Sequence, residues 1–296
     1  MRGRLIPSRL PIYPDYLRFN MSHMLFNASR VSLAVSALLL AQTALAQDFI
    51  KGGQDKFTFN IGGIVNQFDT SVTLNGATSV GTPVNMESNG LSNNTSSLEL
   101  SGTWRVADRH RLDLFYYSAD RSGSRQYDHD ITVGGNVIPA GFNVSAEAKS
   151  KYFLADYRYS FYKTDAVELG GVLGFYGSDL TFNISGTGVS GGMSKTLSTS
   201  ASTTVPLPVL GVSADWYITP RWNVSSKLAG MSARVGDVDG SATVFGLGTD
   251  YMLTRNWGMG LSYMYSKLNV DVTKSDFNGH LDWNSSAFML YATLKY

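Results

Sequence analysis

The sequence predicts an all-β chain folded as a closed, up-and-down antiparallel transmembrane β-barrel of ten strands, with eight as the alternative if the hairpin at 221–254 is misread. Three observations carry this expectation. From Phe288 to Tyr296 every second residue (Phe288, Leu290, Ala292, Leu294, Tyr296) could face hydrocarbon, alternating with Met289, Tyr291, Thr293 and Lys295. A terminus frays unless something holds it, and a barrel's last strand must pair with its first so that no backbone edge meets lipid. The second observation is that tight turns alternate with connections that include long polar segments. The third is that the strand charges fall on one face and leave the other apolar.

The amino-terminal region comes first. Residues 1–20 carry Arg and Pro and have no role in an export signal, so translation is expected to start at Met21 or Met24. Residues 21–46 read as a secretory signal peptide: Arg30, an apolar run over 31–40, then Ala44-Leu45-Ala46 before Gln47. The run is shorter than the roughly 20 residues of a spanning helix. The barrel domain is then 47–296. Removing 1–46 takes five Arg and one Asp from 24 basic and 23 acidic residues, leaving 19 against 22 and a net charge of −3. That is no footprint for nucleic acid. The absence of cysteine excludes a lipoprotein anchor, a thiolate zinc site, a cysteine nucleophile and a disulfide framework. A mean hydropathy of −0.07 looks soluble, but alternation cancels the membrane signal of a barrel in any average.

Ten segments then carry the period-two pattern: 56–74, 95–107, 110–125, 145–163, 166–184, 203–219, 221–236, 240–254, 256–274 and 279–296. Tight turns follow the second, fourth, sixth and eighth of them, at Ala107-Asp108-Arg109-His110, Lys163-Thr164-Asp165, Thr219-Pro220-Arg221 and Thr254-Arg255-Asn256. Long polar connections are expected at 75–94, 126–143 and 185–202. Outer-membrane barrels have short periplasmic turns and longer external loops, and with both termini on the short-turn side the strand count must be even. Several segments exceed the roughly 10 residues that a tilted strand needs to cross a bilayer, so the barrel should project outward.

An echo supports the register: Asp215-Trp216-Tyr217-Ile218-Thr219-Pro220-Arg221-Trp222 recurs 35 residues later as Asp250-Tyr251-Met252-Leu253-Thr254-Arg255-Asn256-Trp257. Aromatics beside these turns, with Trp104, Tyr157, Tyr159 and Phe161, form a candidate girdle at headgroup level. Glycines within strands suit a narrow lumen. The pattern slips at 177–179 and near Lys267, which suggests bulges there.

Sorting by parity gives a charge-free outward set that includes Phe57, Phe59, Ile61, Leu98, Leu100, Leu112, Leu114, Leu210, Val212, Phe245 and Leu247. The opposite parity carries six acids (Glu99, Asp113, Asp156, Glu168, Asp215, Asp250) and six bases (Arg105, Arg111, Arg121, Arg158, Lys227, Lys295). An Arg or Lys facing lipid at midplane costs about 2–4 kcal/mol, so the charged parity faces the lumen. A barrel of this size is nearly filled by its own side chains, and isolated ions in it would be expensive. The expectation is a polar plug of paired charges, with Asp156, Asp215 and Asp250 forming a carboxylate ring neutralised by Arg105, Arg158, Lys227 or Lys295.

Chemistry is sparse. Tyr127-Asp128-His129-Asp130 is the one constellation resembling a site, either as a general base or a metal ligand set, and His110 and His280 stand apart from it. No phosphate loop or serine elbow is present.

The ending on an aromatic residue resembles the C-terminal signature of Gram-negative outer-membrane proteins. The overall plan resembles the group of small barrels that includes OmpA-type, OmpW-type and opacity-type proteins. More narrowly, Ala107-Asp108-Arg109-His110-Arg111 running to Arg121-Ser122-Gly123-Ser124-Arg125, with Thr219-Pro220-Arg221-Trp222, resembles an uncharacterised proteobacterial outer-membrane barrel family. The resemblance implies residence in the bacterial outer membrane, contact with its lipid and lipopolysaccharide, and recognition of the last strand by the barrel-assembly machinery.

The expected function is structural or surface interaction through the external loops, without enzymatic activity, cofactor, metal or nucleic-acid partner. The alternatives are an OmpW-like passive channel for a small solute and, more weakly, an omptin-like surface hydrolase. An omptin, however, sets an Asp pair against an Asp-His pair, and no second pair is evident here.

Overall fold

The computed structural model describes residues 49, 52–75, 81–88, 90–133, 136–190, 193–273 and 278–296; the expected leader over 1–46 lies outside them. The strands are β1 (Phe57–Leu74), β2 (Val84–Asn85), β3 (Asn94–Ala107), β4 (His110–Gln126), β5 (Ile131–Val133), β6 (Asn136–Ile138), β7 (Asn143–Lys163), β8 (Val167–Ser190), β9 (Met193–Thr219), β10 (Trp222–Val235), β11 (Val238–Met252), β12 (Trp257–Thr273) and β13 (Asn278–Lys295). All but β2, β5 and β6 form an antiparallel ring, each strand bonded to its sequence neighbours and β13 closing on β1. The ring has ten strands, the larger of the two expected counts.

Closure uses the whole length of the terminal strand. β1 and β13 pair from Thr58 opposite Lys295 to Leu74 opposite Gly279. At the very end Lys56 N and Phe57 N donate to the Tyr296 carbonyl at 2.7 and 2.9 Å, and Tyr296 N donates to Phe57 O at 2.8 Å. The alternation up to the last residue therefore has a partner at every step, which a barrel in hydrocarbon requires.

The outward side of the ring carries an apolar belt. Along β8 it includes Leu173 and Phe175, 53% and 59% exposed, and along β13 Phe288 and Leu290, 61% and 56% exposed. Trp104, Tyr157, Tyr159, Phe161, Trp216, Trp222 and Tyr251 are likewise exposed along its lower edge. There Phe57 stacks on Trp104 at 6.0 Å and Trp222 Nε1 donates to Thr249 at 2.7 Å, so rings lie in the apolar zone with polar atoms satisfied. Nine residues of β8, from Val167 to Phe175, cross this belt; at about 3.3 Å per residue and a tilt near 40° they span roughly 23 Å, the thickness of an outer-membrane apolar band.

Above the belt the two faces exchange character. On β8 the outward positions become Asp179, Thr181 and Asn183 while Leu180, Phe182 and Ile184 are buried inward. On β12 Lys267, Asn269 and Asp271 face out while Leu268, Val270 and Val272 are buried. A wall bathed in water must hide its apolar side chains inside, whereas a wall bathed in lipid must show them.

This exchange corrects two expectations. The irregularity at 177–179 and near Lys267 is a change of surroundings with no bulge, because the pairing runs unbroken through both. The register shifts that do occur lie at the short-turn rim, between Arg105 and Ala107, Ser160 and Tyr162, and Trp222 and Asn223. Nor are 185–190 and 193–202 loop: β8 and β9 pair continuously up to Ser190 opposite Met193. Thr187 lies on the outward side of this ribbon, whereas Gly186 and Gly188 share the inward side of Ile184.

The other two long connections fold back onto the barrel. β2 pairs with β1, Val72 opposite Val84, and β5 forms a hairpin with β6.

Candidate functional site

The lumen is the candidate site, and it has two storeys. In the membrane-spanning half the strand register sets like charges side by side: Arg105 opposite Arg111, Arg111 opposite Arg158, and Glu168 opposite Asp215. Adjacent like charges repel, so neutralisation has to come from other strands. Arg105 donates both Nη atoms to Glu168 at 2.9 and 3.0 Å, and Tyr217 donates to the same carboxylate at 2.9 Å, joined by Ser160. Arg111 binds Asp215 at 2.6 Å and approaches Glu168 at 3.7 Å. Arg158 bridges Asp215 at 3.3 Å and Asp113 at 2.9 Å, and Thr103 donates to Asp113 at 2.6 Å. Glu168 is completely buried. A fork that satisfies both oxygens in this way is the arrangement that offsets the desolvation of an ion pair.

Asp156, Asp215 and Asp250 each have their own partners. Lys227 reaches Asp156 at 2.5 Å, while Asp250 takes a hydrogen bond from Tyr291 at 2.7 Å and lies 3.6 Å from Lys295. The Tyr291 ring fits because residue 260 is glycine: a Cβ there would sit 2.2 Å from a ring carbon.

Glu99 stands apart. It is 1% exposed, and neither of its oxygens has a hydrogen-bond partner or a salt bridge among the described residues. Arg121 is not in this layer; it lies in the outer half, bound to Glu87 at 2.5 Å and to Thr70 at 3.0 Å, with its guanidinium 4.1 Å from the Phe68 ring centroid.

Apart from the Arg121–Glu87 pair and a few small polar side chains, the outer half of the lumen is filled by apolar and aromatic groups, contrary to the expectation of a polar plug throughout. Trp283 stacks on Tyr152 at 5.0 Å, Tyr152 on Tyr117 at 4.6 Å, and Phe68 and Tyr176 flank Trp283 at 5.8 and 6.5 Å. Met86 and Leu91, from the connection between β1 and β3, are buried in this cluster, as are Ile131 and Ile138 from the β5–β6 pair and Phe142 just before β7. Ile138 and Phe142 pack on β8 at Gly186 and Gly188.

At the short-turn end the residues before β1 lie across the mouth. Gly53, with φ +74, is buried against Tyr217 and Glu168, and Phe49 sits 4.1 Å under the Arg221 guanidinium. That φ is in the left-handed region, where glycine is favoured. Between the two storeys remains a cavity of about 230 Å³, lined by Asn60, Glu99, Ser101, Lys227, Ser262 and Tyr291 among others.

The loop histidine gathers no site. His129 meets Asp128 at 2.7 Å, but their side chains are 64% and 98% exposed, and Asp130 turns back to accept from Ala140 N at 2.8 Å. His110 contacts the Tyr157 hydroxyl at 2.6 Å.

A cluster missed in the sequence lies on the outer wall above the belt, where His280 is held by Asp271 at 2.8 Å and Asp282 at 3.0 Å. Burial alone would lower the imidazole pKa, yet the two carboxylates hold it above its ordinary value. The β12–β13 pairing, which sets Asp271 opposite His280, was the signal that could have shown it.

Comparison with solved structures agrees with this architecture. The outer membrane protease OmpT of Escherichia coli superposes with a TM-score of 0.54 over 85% of this chain and 99% of its own, at 8% sequence identity. Ail, the attachment invasion locus protein of Yersinia pestis, matches 80% of this chain and 98% of its own at 11% identity and a TM-score of 0.26. OprG of Pseudomonas aeruginosa matches 82% and 97% at 10% identity and 0.30. At such identity the OmpT likeness establishes fold alone, and the other two superpose too loosely to bear on more. No protein-family model and no curated protein matches the sequence. Ring, belt and likeness together define an outer-membrane β-barrel of the Gram-negative type.

Proposed function

We propose that this barrel serves a structural or surface-interaction role through its extracellular projection and does not conduct solutes. The observation that supports this is closure in series: an aromatic layer roofed by Met86, Ile131 and Phe142, an ion-paired layer beneath it, and the segment around Gly53 across the periplasmic mouth. Passage would require moving packed rings and separating buried charges. The polar rim of β7, β8 and β9 above the belt, with Lys149, Lys151 and Asp179 facing outward, is the surface offered to a partner. The same reading takes the protein as non-enzymatic, since Asp128 and His129 lie open to solvent with no opposing acid pair among the described residues. It also takes lipid and lipopolysaccharide as the belt's surroundings, and the exposed Phe288, Leu290 and Tyr296 as the strand read by the assembly machinery.

The test is planar-bilayer recording of the purified, refolded protein. No steady conductance is expected, and large long-lived channels would defeat the proposal. A protease site inserted after Asp128 should be cut on intact cells; protection there would invert the topology.

The apolar lining of the outer lumen favours a second reading, a passive route for a small apolar solute of the kind OmpW-like barrels provide. Faster entry of such a solute into vesicles carrying the protein, without ionic conductance, would select it.

A further inference from the structure

The ring of strands is closed through the belt and opens at the belt's upper edge. β10 pairs with β9 only from Trp222 opposite Thr219 to Gly230 opposite Leu210, and from Met231 to Val235 it is paired with β11 alone. β9, by contrast, continues against β8 as far as Met193. Its other side, over residues 193–209, has no strand beside it among the described residues. Proline explains the parting. Tyr217 N donates to Ala166 O at 2.8 Å, so odd-numbered residues of β9 turn their backbone groups to β8 and even-numbered ones turn theirs away. Continued upward, the β9–β10 register would set Pro208 opposite Ser232 and Pro206 opposite Arg234, where β10 needs an N–H that proline lacks.

Beyond the prolines the edge is whole again. Ser194, Thr196, Ser198, Ser200, Ser202 and Thr204 each turn an N–H and a C=O to the open side. They lie past the end of β10, since the same register would bring Val235 level with Val205, and the chain there turns tightly into β11 at Gly236, with φ +60. From Thr196 to Val209 the strand carries no charge, and the side chains of Thr196, Ser198, Ser200, Ser202 and Thr204 are small and exposed. Exposed edges are ordinarily blocked by charge, proline or a covering element, and one left open is a template for another strand. Here the prolines block only the part next to β10.

The strand that fits does not come from this chain: internal segments outside the described residues are at most five residues long, too short for an edge of eleven, and 1–46 read as a cleaved leader. Nor is it a second copy. Barrels in one membrane all point the same way, so two β9 edges meet only in parallel, the weaker ladder, and the free part of β10, Met231–Val235, is too short to match. We propose that β9 binds an extended segment of a partner protein by strand addition along Ser194–Thr204. The uncharged edge calls for an uncharged segment, polar on the side of the exposed hydroxyls and apolar on the side of Leu197, which packs against the core. This rests on the surface-interaction reading above and names its mode; conductance tests that reading and strand binding tests this one, so either can fail alone.

The probe is a fluorescein-labelled synthetic peptide copying Leu180–Val189, the uncharged, alternating stretch of β8 that already pairs with Ser194–Thr203 on the other side of β9. Fluorescence anisotropy with the full barrel refolded into micelles is expected to show saturable binding. Two further peptides carry N-methyl groups on alternate amides, in one phase or the other. One phase blocks the ladder and should lose affinity at least about tenfold, while the other leaves the ladder side free and should keep it. Ser200→Pro removes one edge-facing N–H and leaves the β8 pairing intact, as Pro206 and Pro208 do; it should weaken the unmethylated peptide at least about tenfold. No binding by the wild type, equal affinity for the two phases, or an unchanged affinity in Ser200→Pro overturns the proposal. Should Ser200→Pro fail to fold, the two phases on the wild type decide: a split supports strand addition, and equality overturns it.

Discussion

Replacing Trp283 by alanine is the most direct probe of the outer storey. Trp283 is 2% exposed and touches Tyr152, Phe68 and Tyr176 at ring-centroid distances of 5.0, 5.8 and 6.5 Å. A buried Trp truncated to Ala in a packed core costs about 3–5 kcal/mol, and the roof formed by Met86 and Ile138 gives the neighbours little freedom to collapse. Equilibrium denaturation in micelles, followed by the remaining tryptophans, should show the full loss. Conductance should stay absent, because the Arg105–Glu168 layer below closes the lumen independently. A loss under about 1 kcal/mol would mean that the outer lumen is loosely filled, since surface changes fall in that range. A variant that conducts steadily would refute the claim of two seals.

Three further outcomes follow from the same geometry. Glu168→Ala should destabilise by about 3–5 kcal/mol because it strands Arg105 in a buried site, whereas the double change Arg105→Met with Glu168→Leu should cost much less; equal losses in denaturant titration would argue against a coupled pair. On the outer wall of β8, Leu173→Arg should cost about 2–4 kcal/mol and Thr181→Arg almost nothing in refolding into lipid vesicles, the same face being lipid at one height and water at the other; similar costs would erase the belt boundary. The raised pKa of His280 makes its contribution complete below its unfolded value of 6.5, and that contribution declines as pH climbs through the higher folded value. The stability gap between wild type and His280→Asn should therefore narrow on going from acid to alkaline buffer, and a gap that widens would contradict the assignment.

What the sequence made legible was whatever depends on one strand and its nearest neighbours. Alternation located all ten barrel strands, because lipid and lumen impose opposite demands on successive residues. Turn residues such as Asp108-Arg109 marked the short-turn end of the barrel. Ion pairing was less legible, since Arg111 and Asp215 are 104 residues apart and meet across the lumen, a relation fixed by barrel curvature and stagger. Nor could parity alone reveal that 185–190 and 193–202 are strand: Ser, Thr and Gly are loop residues in water, yet they also suit the walls of a ribbon.

The exchange of faces near Gly177 shows why both partial readings arose. A single rule, apolar toward the less polar side, produces inward charge below the membrane boundary and inward hydrocarbon above it. Tyr176 and Leu180 keep the inward parity of Gly174 while their surroundings invert, so a pattern that looks broken along the chain is unbroken in space. The aromatic layer is therefore the ordinary hydrophobic core of the part of the barrel that stands in water. Stability of that part rests on its own packing, as in any soluble β-structure, while the membrane half rests on the belt and the ion pairs. A change in one storey should consequently leave the other folded, and a partner that grips the projection could do so without disturbing the seal beneath it.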